Sequence, residues 1–188
     1  MTLTEEIRAL RRARNAVILA HNYQPADVQD IADFTGDSLE LARKAAEVRA
    51  DVIVFCGVHF MAETAAILNP DKTVLIPAAD AGCPMADMIT GDQLRNLKAQ
   101  HPRAKVLCYV NSTAEVKAES DCCVTSGNAL QVARSFPAGQ EIIFVPDRHL
   151  GAYTAEQLGR PFILWPGFCP THARMNERQI AAARAAHP

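Results

Sequence analysis

The chain has no apolar run approaching the roughly 20 residues that a bilayer-spanning helix needs, so no membrane role is expected. It has no excess of either charge. The 19 Lys and Arg and 21 Asp and Glu leave a net charge of -2, with no electrostatic footprint for nucleic acid or an anionic membrane. Arg8, Arg11, Arg12 and Arg14 are interleaved with apolar positions, as on a solvated helix face. A basic-then-apolar leader is missing as well. The first residues open a helix instead, with Thr2 and Glu5 spaced for a capping box, and a cytoplasmic protein is expected. The six cysteines include no tight Cys-x-x-Cys pair, which argues against a structural zinc finger. In a reducing compartment they read as thiols or metal ligands rather than disulfides. A glycine-rich phosphate loop is also absent. A metal-free phosphate-ester enzyme therefore has only Ser and Thr at helix starts to support it.

What is present is an ordinary globular composition: 188 residues, 49% hydrophobic and 21% charged, enough to bury a core. Apolar runs of strand length recur at 15–20, 51–56, 73–76, 105–110, 141–145 and 161–165, separated by helical patterns. Helices are expected over 4–14, 26–34, 39–49, 60–68, 92–100, 128–136, 150–158 and 175–186, with a short strand at 121–124. Continuous apolar strands alternating with helices predict an α/β fold: repeated three-layer α/β/α units with short parallel sheets. Strand plus polar tip recurs at Leu19 to Tyr23, Leu107 to Asn111 and Leu164 to Phe168, which predicts an internal repeat. The expected division is 1–80, 81–160, and 161–188 as the start of a third unit. Either that last segment belongs to a longer repeat, or it packs against the second unit.

Chemistry is expected at the carboxyl ends of the strands, where parallel sheets bind ligands. His21, Tyr23, His59, Tyr109, Asn111, Ser126, Asp147 and His172 fall there. Two cysteines are framed alike, Gly82-Cys83-Pro84 and Phe168-Cys169-Pro170, each just past a strand. That placement displays a thiol and suggests two ligands for one metal centre. Cys169-x-x-His172 has a zinc-ligand spacing, while isolated cysteines each followed by Pro fit an iron–sulfur cluster at least as well. Plainer roles stand beside these. Asp37 and Ser38, like Thr125 and Ser126, sit where a helix begins and can cap it, bind an anion there, or both. His21 can cap the sheet, and Tyr23 and Tyr109 can pack with a solvated hydroxyl. Cys56 and Cys108 lie inside apolar runs and read as small buried hydrophobes. Cys122 and Cys123 point to opposite sides of one strand and read as structural, and His101 and His187 as surface positions.

Taken together, a series of segments resembles the quinolinate synthase family. They are Ala20 to Gln24, Ile31 to Ser38, Phe55 to Thr64, Ala81 to Met88, Tyr109 to Ser112, Val116 to Ala118, Thr125 to Ala129, Pro146 to Leu150 and Trp165 to His172, in order over nearly the whole chain. The resemblance implies a bacterial- or archaeal-type enzyme of NAD biosynthesis. It condenses iminoaspartate with dihydroxyacetone phosphate, losing water and phosphate, to give quinolinate. L-aspartate oxidase or aspartate dehydrogenase is the implied supplier of iminoaspartate. Also implied are three similar units about a pseudo-threefold axis and a four-iron, four-sulfur (4Fe-4S) cluster held by one cysteine per unit, its fourth iron open to substrate as a Lewis acid. Cys83 and Cys169 match two of the metal ligands. His21, Tyr23 and Tyr109 match the acid/base or hydroxyl-handling residues. Ser38, Asn111 and Ser126, with His21 and Tyr109, match substrate-binding positions, and His172 the cavity wall.

The family's third unit carries a His-Pro-Glu-Cys segment, with a catalytic Glu and the third cluster cysteine, and a Gly-Ser-Thr substrate segment. Neither occurs in residues 1–188. The expectation is a chain that is inactive or nearly so by itself and holds a cluster poorly. A non-catalytic metal- or cluster-binding α/β domain and an apo structural or interaction domain remain as other readings.

Overall fold

In the computed structural model, which describes residues 1–187 apart from the Leu39 side chain, the continuous apolar segments pair as parallel strands. Both faces of such strands must be covered, and here Leu19, Ile53, Leu107, Ile143 and Phe144 are almost wholly buried. The chain divides into two units, Met1–Cys83 and Pro84–Pro188.

The first unit runs α1 (Leu3–Ala13), β1 (Ala16–His21), α2 (Ala26–Ile31), β2 (Phe34–Gly36), α3 (Ser38–Glu47), β3 (Val52–Cys56), α4 (His59–Leu68) and β4 (Thr73–Leu75). The second repeats the pattern: α5 (Gly91–Gln100), β5 (Lys105–Tyr109), α6 (Ala114–Ala118), β6 (Cys122–Val124), α7 (Ala129–Ser135), β7 (Ile142–Val145), α8 (Arg148–Leu158) and β8 (Ile163–Leu164). The sheet orders are β2-β1-β3-β4 and β6-β5-β7-β8, the same permutation twice, with all strands parallel. The α/β fold with repeated short parallel sheets is therefore observed. Among the described residues no helix is long and apolar enough to cross a membrane.

Local chemistry marks the repeat. α1, α5 and α9 (Glu177–Ala186) each begin with a complete capping box, built on Thr2 and Glu5, Thr90 and Gln93, and Asn176 and Gln179. Ahead of each short second strand stands an aspartate clamped to the strand beside it. Asp33 accepts from Ile18 N at 2.9 Å and its own N–H donates to Ile18 O at 2.8 Å. Asp121 does the same with Val106, at 2.8 and 3.1 Å. Each carboxylate also meets a cation, Arg11 for Asp33 and Lys105 for Asp121.

Two details differ from the sequence reading. The helix expected over 26–34 ends at Ile31, and Phe34 opens a strand instead, because the Asp33 clamp turns the chain into register with β1. A helix at Ala114–Ala118, capped by Thr113 Oγ1, was not anticipated. Ile163 and Leu164 hydrogen-bond to β7 and form the edge of the second sheet, one of the two arrangements the sequence left open for this segment. After them every residue from Thr171 to His187 is exposed.

Candidate active site

In doubly wound parallel sheets ligands bind beyond the carboxyl ends, where the strand order reverses. That point lies between β1 and β3 in the first unit and between β5 and β7 in the second. Register makes the residues there equivalent. His21 and Tyr109 end β1 and β5, paired with Gly36 and Val124, and Ser38 and Ser126 each follow two residues past those partners.

In the first unit, β1 ends in a tight turn in which Gln24 N donates to His21 O at 2.9 Å. Tyr23 N donates to His21 Nδ1 at 3.3 Å, and the two rings lie 3.9 Å apart, tilted by 31°. With Nδ1 accepting, the neutral imidazole carries its proton on Nε2. Burial pushes the His21 pKa below its ordinary value, and Asp37 partly offsets this. His21 is thus held neutral near pH 7, able to accept or give a proton. The Tyr23 hydroxyl bridges the switch point: it accepts from Val58 N at 3.0 Å and donates to Met61 Sδ at 3.8 Å. Ser38 Oγ donates to the same sulfur at 3.7 Å. Burial raises the Tyr23 pKa, the Val58 N–H eases it, and the neighbouring Cys83 raises it again. The phenol therefore stays protonated at neutral pH and can serve as a donor. His21, Tyr23, Ser38 and Cys83 are brought together. Asp37 has its capping role: Glu40 N donates to its Oδ1 at 2.8 Å. His59 is exposed, its ring 3.6 Å from Glu63 and its backbone N–H donating to Ala81 O at 2.7 Å.

The second unit holds a cavity of about 400 Å³ lined by Tyr109, Ser126, Asp147, His149 and His172, among others. All of these but His149 were expected at the strand ends. Asn111 is half-buried beyond Tyr109 and is not among the lining residues. Asp147 is buried and caps α8, accepting from His149 N at 2.8 Å and Leu150 N at 3.3 Å. Its carboxylate is committed to the helix and orients the cavity wall. Thr125 N donates to Asn128 Oδ1 at 2.6 Å, which fixes the turn carrying the exposed Ser126. Sequence reasoning missed His149 and Met61. The signal for His149 was its place two residues past an N-capping aspartate at a strand tip. Nothing in the pattern marked Met61, an apolar residue of an apolar helix.

The Cys169 loop is tied down residue by residue. Trp165 Nε1 donates to Met88 O at 2.9 Å, and Phe168 N lies 3.3 Å from Met88 Sδ. Gly167 bridges to Asp147, and Arg148 N donates to Gly167 O at 2.8 Å. A Cβ at Gly167 would sit 2.5 Å from the carbonyl oxygen of Pro146, so only glycine fits. Arg148 lies over the Phe168 ring, 5.0 Å from its centroid.

Cys83 and Cys169 are free, half-buried thiols on loops past parallel strands. Each is a soft sulfur donor of the kind that ligates iron–sulfur clusters. Among the described residues no group of three His, Cys, Asp or Glu is assembled to hold a metal ion. Cys108 is fully buried, whereas Cys56 is only half-buried.

A family model described as Quinolinate synthetase A protein matches residues 5–188. The chain is 58% identical over 186 residues to the quinolinate synthase of Dehalococcoides mccartyi strain CBDB1, covering 99% of this chain and 61% of the relative. It is 57% identical over 187 residues to that of Geobacter metallireducens strain GS-15, covering 100% and 61%. With the quinolinate synthase of Methanoregula boonei it shares 59% identity over 186 residues, covering 99% and 61%. The chain thus spans 61% of the length of these relatives. With almost its whole length matched, the chain belongs to the quinolinate synthetase A family.

Proposed function

We propose that this chain supplies two of the three units of a quinolinate synthase, which condenses iminoaspartate with dihydroxyacetone phosphate to quinolinate in NAD biosynthesis. Iminoaspartate would come from an aspartate oxidase or dehydrogenase in the same cytoplasm. The observation that carries the reading is the repetition of one constellation at two switch points: a strand-terminal His or Tyr, a Ser two residues past its partner strand, and a half-buried cysteine on a later loop. A 4Fe-4S cluster, when bound, supplies a Lewis-acidic iron that eases loss of water. Cys83 and Cys169 would hold two of its irons, and a cysteine from the third unit another.

The chain's own residues bind substrate and move protons. Tyr23, protonated at neutral pH, donates from its hydroxyl to a leaving or carbonyl oxygen, while Val58 N–H holds the phenol oxygen in place. His21, neutral with its proton on Nε2, exchanges protons beside it. Tyr109 handles hydroxyl groups in the second unit's cavity. Ser38, Ser126 and Asn111 bind carboxylate or phosphate oxygens, and His172 closes the cavity wall.

The test is anaerobic reconstitution with iron and sulfide, followed by assay for quinolinate. Residues 1–188 alone should give little cluster absorbance and little or no product. Fusion to the remaining portion of the Dehalococcoides relative should give both, and Cys83→Ser or Cys169→Ser in that fusion should remove the cluster absorbance. Product from residues 1–188 alone at the rate of the fusion would refute the division of labour. A cluster-loaded fusion that makes no quinolinate would refute the reaction.

A further inference from the structure

β5 and β6 carry two thiols outside the candidate site. Cys108 and Cys123 are register partners across this parallel pair, with Leu107 and Cys122 one step below and Tyr109 and Val124 one step above. Adjacent strands lie about 4.8 Å apart, inside the roughly 4.4–6.8 Å between Cα atoms that a disulfide spans. Register partners share a sheet face, so Cys122, one residue away, points to the other one. The partner thiols differ in access. Cys108 is wholly buried beside Val106, Val116 and Val145. Cys123 is exposed on β6, the edge strand of its sheet.

The surroundings are polar as well as apolar. The hydroxyls of Ser112 and Ser120 reach the Cys108 thiol, and each is anchored to a backbone carbonyl, Tyr109 O at 2.9 Å and Val116 O at 2.7 Å. The Cys108 thiol donates to Tyr109 O at 3.4 Å and shares a hydrogen bond with the Cys123 sulfur. That bond and the cation of Lys117 bring Cys123 down to about 7. The same bond, with burial, holds Cys108 up as a thiol. One partner is thus a nucleophile within reach of solvent, and the other a protonated thiol against it.

We propose that Cys108 and Cys123 form a redox-modification site, in which a peroxide oxidises the exposed Cys123 and Cys108 then closes on it to form a disulfide between β5 and β6. In the first step the Cys123 thiolate attacks a peroxide oxygen and the O–O bond breaks. Cys123 becomes a sulfenic acid, and the released hydroxide takes a proton to leave as water. In the second step Cys108 gives up its proton, its sulfur attacks the Cys123 sulfur, and the S–O bond breaks with loss of a second water. Two thiols lose two electrons and two protons, and one peroxide becomes two waters. The bridge lies one register step from Tyr109, on the strands that lead to Tyr109 and Ser126. The site does not depend on the reaction proposed above, and its test needs no iron.

The test uses the full chain, reduced and metal-free, treated with one equivalent of hydrogen peroxide, then alkylated with a maleimide, digested and mapped by mass spectrometry. The expected product is a disulfide joining the Cys108 and Cys123 peptides, with the other four of the six cysteines alkylated. Before oxidation, Cys123 should alkylate at pH 7 roughly fivefold faster than an ordinary exposed thiol, its greater ionisation outweighing its lower intrinsic nucleophilicity. Cys108→Ser should leave a sulfenic acid at Cys123 that a cyclic diketone traps, and Cys123→Ser should leave Cys108 unoxidised. A disulfide elsewhere, over-oxidation of Cys123 with Cys108 still free, or equal oxidation of Cys108 in the Cys123→Ser variant would overturn the proposal.

Discussion

Gly167→Ala tests how the Cys169 loop is held. A methyl there would lie 2.5 Å from Pro146 O, and that oxygen is backbone, so no rotamer change relieves the clash. An ordinary contact starts near 3.4 Å, so the loop must retreat from β7 by most of an ångström. Retreat stretches the 2.8 Å bond from Arg148 N to Gly167 O and opens the bridge to Asp147. Overpacking of this kind costs about 1–3 kcal/mol and the lost hydrogen bond about 1, for a total of about 2–4 kcal/mol. Trp165 is the chain's only tryptophan and sits in this loop, so its fluorescence reports the unfolding of this unit. With a urea slope of about 1–3 kcal/mol/M, the midpoint should fall by roughly 1–2 M. Gly139→Ala is the control, because nothing lies within 4 Å of a Cβ there and the midpoint should hold or rise slightly. The Cys169 thiol should also react faster with maleimide in Gly167→Ala. An unchanged midpoint, with Cys169 reacting as in the parent, would refute the close approach as the device that positions this cysteine.

Tyr23→Phe removes the acceptor of Val58 N–H and should cost about 0.5–1 kcal/mol, since that N–H is partly solvated. It should abolish the tyrosine ionisation step that the parent shows above the ordinary range in an alkaline absorbance titration, and in the fusion it should slow quinolinate formation by roughly 10²–10⁴. The His21 pKa is lowered in the folded state, so its contribution is complete above the unfolded value of 6.5 and declines as pH falls through 6.5 toward the folded pKa. Hydrogen-exchange protection of 16–20 should therefore weaken between pH 7.5 and 5 in the parent and change less in His21→Asn; equal slopes would refute the assignment. Asp33→Ala and Asp121→Ala each leave a buried strand N–H, of Ile18 or Val106, without its acceptor and should each cost about 1–3 kcal/mol by urea unfolding. A loss below about 0.5 kcal/mol in both would show that the clamps are not needed.

The core strands were legible because burial on both faces demands continuous apolar residues. β1, β3, β5 and β7 are such runs, and their polar tips marked where the site would lie. β2 was not legible, because its three residues include an exposed Phe34 and Thr35 and its pairing is set from outside by Asp33. The repeat itself could have revealed it. Ala32-Asp33-Phe34-Thr35-Gly36 occupies the place of Ser120-Asp121-Cys122-Cys123-Val124, and only the second was read as a strand. The same comparison separates what each unit does with one scaffold. The strand-terminal position is His21 in one unit and Tyr109 in the other, and the residue two further on is Tyr23 in one and Asn111 in the other. In the first unit the two rings touch at a tilt and Tyr23 spans the switch point to Val58, closing that gap with a phenol. In the second, Asn111 makes no such span, and the gap stays open as the cavity beside Tyr109 and His149. A filled switch point offers a fixed proton donor, and an open one offers room for substrate. The proposed division between acid/base chemistry and binding therefore turns on one aromatic residue, present as Tyr23 in one unit and replaced by Asn111 at the equivalent place of the other.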